Sequence, residues 1–248
     1  AGDIETMAYE EGVDVDELMQ KAEGELFQLS QNNMKQDYTQ IDPVVKEAVA
    51  ILQRAAQNSG GLTGIPTGYR GLDDMTSGWQ PSDLVIIAGR PAMGKTSFAL
   101  SIAKNVAVDY DVPIGFFSLE MNNVQLVNRL ISNVCEISGK KILNGQLEQP
   151  EWERLDKKLR KLTGAPIYID DTPGLSVFEL RTKARRLVRE KGVKLLMIDY
   201  LQLMNANGMK FGSRQEEVST ISRSLKGIAK ELNIPVLALS QLSRDVEN

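Results

Sequence analysis

LVIIAGRPAMGKTSFALSIA, residues Leu84–Ala103, decides the fold. An apolar, β-branched run, Leu84–Ala88, enters GRPAMGKT (Gly89–Thr96), and a helical run follows at once. The eight residues satisfy G-x-x-x-x-G-K-[ST] at every fixed position, and they lie between strand and helix as that motif requires. Glycines let the backbone curl so that its N–H groups face phosphate oxygens, and the helix N-terminus adds a favourable dipole. Gly89, Arg90, Pro91, Ala92, Met93, Gly94, Lys95, Thr96 and Ser97 are therefore expected to bind nucleotide. Lys95 would reach the outer phosphates and Thr96 would ligate Mg²⁺.

Outward from this loop, short apolar runs alternate with helical stretches. DLVIIAG, PIGFFSLE, APIYIDD, VKLLMIDY and IPVLALSQ are the strands. Nearly continuous apolar strands between helices predict a mostly parallel sheet covered on both faces, an α/β fold. In such a sheet the ligand lies beyond the carboxyl ends of the strands. The polar residues there are Glu120, Asp199 and Gln241, with Asp170 and Asp171 after the third strand. Asp199 is the expected Mg²⁺ carboxylate. Glu120 is the candidate to orient or deprotonate an attacking water, and Gln241 to contact the γ-phosphate. Asp170 and Asp171 precede Thr172-Pro173-Gly174, where turn formation and capping explain them as well as chemistry does.

Composition narrows the chemistry. The 248 residues are 42% hydrophobic and 25% charged, ordinary for a globular protein. With no histidine and one cysteine, Cys135, imidazole catalysis and a structural zinc site are excluded. Cys135 in LISNVCEI reads as a buried, inert thiol, and a lone cysteine suits a reducing cytoplasm. No apolar run reaches a membrane span's roughly 20 residues, and the start shows no leader pattern. The lack of an initiator Met suggests a fragment. A net charge of −4 does not advertise nucleic-acid binding and does not exclude it.

Two helical stretches precede the sheet. In DVDELMQKAEGELFQLS, apolar residues from Val15 to Leu29 follow a helical spacing. IDPVVKEAVAILQRAAQN has Asp42 as expected N-cap, Pro43 at the first helical position and a stripe of Val45, Ala48, Val49, Leu52 and Ala56. Loops bound it on both sides, with Gly60 and Gly61 as a hinge. Arg181, Lys183, Arg185, Arg186 and Arg189 suggest a DNA patch, but their helix also carries Leu180, Ala184, Leu187 and Val188. A solvated helix face is the favoured reading.

TGIPTGYRGLDDMTSGWQPSDLVIIAGRPAMGKTSFALSIA, FSLEM, IYIDDTPGLS, MIDYLQLM, SRQEEVSTISRSLKGIAKEL and ALSQLSR, in this order, resemble the core of DnaB-type replicative DNA helicases from about Leu62 to Arg244. The resemblance implies a RecA-like P-loop ATPase that uses ATP, preceded by an α-helical segment. It assembles as a homohexameric ring on single-stranded DNA and meets a primase and a helicase loader. Residues 1–38 would be a remnant of the helical N-terminal domain, 39–61 the linker helix and hinge, and 62–248 an incomplete ATPase core. The linker helix would pack on the adjacent subunit. Glu120 would be catalytic with Lys95 and Gln241, and Thr96 and Asp199 would serve the metal. NANGMKFGSRQ would face the pore with Lys210 and Arg214 on DNA phosphates. The family continues past the position of Asn248 with a basic segment reaching the neighbour's ATP, so the chain alone is expected to hydrolyse ATP weakly and not to unwind DNA. Two alternatives remain: a RecA-like recombination or repair ATPase, and a nucleotide-binding ring-assembly module with little activity.

Overall fold

The computed structural model describes residues 40–57, 62–205 and 213–242. The expected first helix, the Gly60–Gly61 hinge and Lys210 lie outside the described residues.

Helix α1 spans Ile41–Gln57. Asp42, expected as its cap, lies inside the first turn instead. Pro43 is tolerated there because the first N–H groups of a helix have no intrahelical acceptor. The apolar side chains Ile41, Val44, Val45, Val49, Ile51 and Leu52 are all exposed. Helix α2, Arg70–Thr76, follows. Its Asp73 is buried but satisfied, accepting from Thr67 N, Thr67 Oγ1 and Gly68 N at 2.8, 2.8 and 3.2 Å. This clasp fixes the chain as it enters the sheet.

Five parallel strands then form one sheet: β1 Leu84–Gly89, β2 Ile114–Ser118, β3 Ile167–Asp170, β4 Leu195–Asp199 and β5 Val236–Gln241. Their spatial order is β1-β5-β4-β2-β3. The strand connections are α3 Lys95–Lys104, α4 Asn123–Cys135 with α5 Gly139–Asn144 and α6 Gln149–Thr163, α7 Val177–Lys191, and α8 Arg214–Leu232. The chain steps from β1 to β2 to β3, then returns through β4 and β5. Right-handed crossovers put helices of the outward and return paths on opposite faces.

The core shows this alternation residue by residue. Ile114 and Phe116 of β2, Leu195 and Met197 of β4, and Leu237 and Leu239 of β5 pack with Leu100 and Ile102 of α3 and Leu126 and Leu130 of α4. The intervening Phe117, Leu196, Ile198, Val236 and Ala238 pack with Leu180 and Ala184 of α7 and Ile221, Leu225 and Ile228 of α8. Both faces are covered, as the apolar strands predict. Cys135 is buried with Val134 and Ile137, and burial pushes its thiol pKa up. The inert reading of that thiol fits.

Helix starts differ in chemistry. α4 and α7 carry reciprocal capping boxes, Asn122 with Gln125 and Ser176 with Glu179. Ser213 Oγ accepts from Glu216 N at the start of α8. α3 begins after Gly94, which offers no side-chain cap.

Candidate nucleotide site

Strand register brings the site together. Gly89 pairs with Gln241 across β1 and β5, and Ser118 pairs with Asp199 across β2 and β4. The four strand ends therefore lie at one edge of the sheet. A cleft of about 330 Å³ opens there, lined by Gly94, Lys95, Thr96, Ser97, Glu120 and Asp199, together with Pro91, Ala92, Met121, Arg129, Tyr200 and Gln241. All three predicted strand-end residues face it. Glu120 lies two residues beyond the end of β2, on an exposed bend. Leu119 N donates to Asp199 O at 2.8 Å and Ser118 Oγ to Met121 O at 2.6 Å, which fixes that bend beside β4.

The loop owes its curl to two residues. Gly94 has φ 82 and Ala92 has φ 62, both left-handed. Gly94 adopts this freely, while Ala92 carries a steric penalty that the surrounding loop must hold. Gly89 acts differently. Its φ is not positive, and a Cβ there would stand 3.4 Å from the Lys95 stem. The missing side chain lets Lys95 lie across the end of β1. Lys95 Nζ donates to Gly89 O at 2.8 Å and Arg90 O at 2.9 Å, which places the ammonium at the cleft.

Asp199 is a buried charged group at the cleft. It is 2% exposed, and its Oδ2 is the one buried side-chain polar atom without a hydrogen-bond partner among the described residues. Burial pushes its pKa up. A hydrogen bond from Thr96 works against this, and the charge of Glu120 adds to it. Burial and the same two carboxylates also raise the pKa of Tyr200. A buried carboxylate oxygen without a partner is costly, so its retention at a cleft points to a ligand.

Arg129 was not foreseen. It stands on α4 between buried Leu126 and Leu130, looks like an ordinary solvated cation in sequence, and lines the cleft. The available signal was that α4 starts just after the Glu120 bend, so its early turns border the same edge.

Asp170 and Asp171 both have partners within the fold. Asp170 accepts from Thr172 N at 3.0 Å and pairs with Lys183 at 2.8 Å, and Asp171 Oδ2 accepts from Asn123 N at the start of α4 at 2.9 Å. Burial alone would raise the Asp170 pKa, but Lys183 and Thr172 outweigh it and hold the carboxyl low. On the basic face of α7, Arg181 and Arg185 both pair with Glu231 of α8, and Arg186 pairs with Glu190 at 3.1 Å. Arg189 shares Glu190 at 3.7 Å and Lys183 holds Asp170, so each of these cations has a carboxylate partner within the chain, in line with the favoured reading. Arg214, the first residue of α8, pairs with Glu217 and donates to the carbonyl of Gln202.

A parallel sheet with a strand–loop–helix cradle and acidic strand ends defines the RecA-like P-loop NTPase fold. Within that class, residues 64–248 match the DnaB-like helicase C terminal domain. The chain is 44% identical over 234 residues to replicative DNA helicase DnaC of Bacillus subtilis, covering 94% of this chain and 52% of that protein. It is 43% identical to replicative DNA helicase DnaB of Geobacillus stearothermophilus, with the same 94% and 52% coverage. Among solved structures, an isolated ATPase domain superposes with a TM-score of 0.77 at 38% identity, over 85% of this chain and 74% of that one. A DnaB-like replicative helicase, solved in a study of its interactions with primase, gives 0.73 at 36% identity over 93% and 55% of the two chains. The chain belongs to the DnaB-like helicase C-terminal domain family, and it spans about half the length of the two Bacillus and Geobacillus relatives. The repair-ATPase and assembly-module alternatives are not favoured. Among the described residues no helix is long and apolar enough to cross a membrane.

Proposed function

We propose that this chain is the ATP-hydrolysing motor core of a replicative DNA helicase that moves as a ring along single-stranded DNA and unwinds duplex. The observation that carries the reading is the convergence of Lys95, Thr96, Glu120, Asp199 and Gln241 on one cleft at the carboxyl edge of the sheet.

ATP is the substrate. Its phosphates lie against the backbone N–H groups of the loop and the N-terminus of α3. Lys95 supplies charge to the outer phosphates, and Arg129 adds a second cation from the far wall. Among the described residues no cluster of three acidic or thiol side chains could hold a metal alone. That suits Mg²⁺, which binds through few protein ligands plus substrate phosphates and water. Thr96 and the orphaned Oδ2 of Asp199 fit it and would hold it. Held there by Thr96 and Asp199, the cation would supply positive charge beside the triphosphate. Glu120 accepts the proton of the attacking water, the role left to a carboxylate in a chain without histidine. The Gln241 amide donates to the γ-phosphate.

Lys210 and Arg214 contact the phosphates of single-stranded DNA. The exposed apolar stripe of α1 seats on a neighbouring copy, giving a homohexamer. A primase and a helicase loader are the further partners, and the compartment is the cytoplasm. In the full-length protein, Glu120→Gln should lower kcat for ATP about a thousandfold while ATP affinity stays within about threefold, and forked-duplex unwinding should vanish. Retention of near-normal turnover in that variant would sink the assignment.

A further inference from the structure

Beyond Ala238 the sheet lacks a partner on one side of β5. The β4–β5 ladder pairs Leu196 with Val236, Met197 with Leu237 and Ile198 with Ala238, and ends there. Gln241 lies three residues further on, at the cleft. On its β1 side it remains in register with Gly89. On its β4 side a single side chain, Gln202, takes over from the strand. Gln202 sits in a 3₁₀ turn, Leu201–Leu203, directly after β4. Its Nε2 donates to Gln241 O at 2.9 Å and to Ser240 Oγ at 2.9 Å, and its Oε1 accepts from Gln241 N at 3.2 Å. The amide thus binds both backbone groups of Gln241, as a neighbouring strand would. Leu201 and Met204, at 2% and 0% exposure, anchor the turn that carries it.

The same residue faces a second way. The carbonyl of Gln202 accepts from the Arg214 guanidinium at the first residue of α8. One residue of a short turn therefore joins the nucleotide edge to the start of the helix that bears a proposed DNA cation.

We propose that Gln202 is a positioning residue that sets the height of Gln241 over the cleft and transmits its movement to Arg214, so that nucleotide and single-stranded DNA sense one another through one residue, its side-chain amide on one side and its backbone carbonyl on the other. This rests on the reading of Gln241 as the γ-phosphate contact and of Arg214 as a DNA contact. The chemistry calls for an amide. Only a group that donates and accepts can clasp N–H and C=O of one residue together. The backbone carbonyl that holds Arg214 survives any substitution of the side chain, so the two halves of the link are separable by mutation.

The test uses full-length protein, with ATP turnover measured with and without oligo-dT. Gln202→Met keeps the shape and removes both hydrogen-bonding functions. The stimulation of kcat by oligo-dT should fall about tenfold, with KM for ATP and the Kd for oligo-dT within about twofold of the unsubstituted protein. Gln241→Ala should lower kcat, and the double variant should be no slower than Gln241→Ala by more than about twofold, because the positioning residue acts only through its target. An unchanged melting temperature certifies the fold of each variant. Normal stimulation in Gln202→Met beside an impaired Gln241→Ala overturns the proposal, as do losses that multiply in the double variant. Normal turnover in Gln241→Ala overturns the site assignment beneath it.

Discussion

Along α7 the cations Arg181, Arg185, Arg186 and Lys183 each close onto a carboxylate of the same chain. At the sheet edge, Asp199 is more deeply buried than any of them and leaves one oxygen without a partner. Both regions carry several charged side chains. Density of charge therefore does not locate function here. What separates the regions is whether the protein satisfies its own polar groups. Surface cations that are paired within the fold contribute to its construction, whereas a desolvated carboxylate oxygen without a partner is tolerated only where something else completes it.

Substitutions in both regions break or sharpen this contrast, in order of expected effect. Asp199→Asn should cost about a hundredfold or more in kcat yet raise thermal stability in metal-free, nucleotide-free protein by about 1 kcal/mol. The sign follows from its raised folded pKa: the fold disfavours the charged form, so the unfavourable contribution develops as pH rises above the usual value near 3.8. A melting series from pH 4 to 8 reads it, and a variant less stable at neutral pH contradicts the account.

Glu231→Gln should instead destabilise by about 2 kcal/mol at neutral pH, because two guanidinium groups lose their shared negative charge and one of them faces an amide NH2 in place of an acceptor oxygen. Burial pushes the Glu231 pKa up, but Arg185 and Arg181 more than compensate and hold it below the usual 4.5. Its stabilising contribution is full above that usual value and disappears as pH falls through the lower folded one. Denaturant titrations of the two proteins should therefore converge in acid. A constant gap at all pH would show that packing, not charge, is responsible.

The smallest effect belongs to the cation surface itself. Arg186→Ala should alter the oligo-dT affinity by less than about twofold and leave its salt dependence unchanged. Arg214→Ala should weaken binding and reduce the slope of log K against log salt by about one. Equal slopes for the two variants would erase the distinction between the α7 cations and Arg214, the proposed DNA contact.

Much of the site was legible because parallel strands are apolar until they leave the core. The first polar residues after LVIIA, IGFFSL, LLMI and VLALS mark the active edge without knowledge of strand order. The order itself, β1-β5-β4-β2-β3, was not legible, since alternation of strands and helices does not say where the chain reverses. Arg129 escaped because a helix cation beside leucines reads as solvated. The partners of Arg181 and Arg185 escaped because Glu231 is 46 to 50 residues away and meets them only once α7 packs on α8. Gln202 escaped for a related reason: its target is a backbone, which carries no residue-specific mark.

The uneven capping of the helices has a consequence for where an anion can settle. Four helices follow strands toward the sheet edge: α3, α4, α7 and α8. At α4 the donors of Asn123 and Gln125 are occupied by Asp171 and Asn122, at α7 that of Glu179 by Ser176, and at α8 that of Glu216 by Ser213. Carboxylate, amide and hydroxyl oxygens already play the anion at those three. Only α3 presents its first turn behind a glycine without such a resident. On the proposed nucleotide reading, the fold would direct phosphate by closing the competing doors as well as by opening one. An Asn122-x-x-Gln125, Ser176-x-x-Glu179 or Ser213-x-x-Glu216 spacing in a strand-to-helix turn is a mark of where the triphosphate will not go.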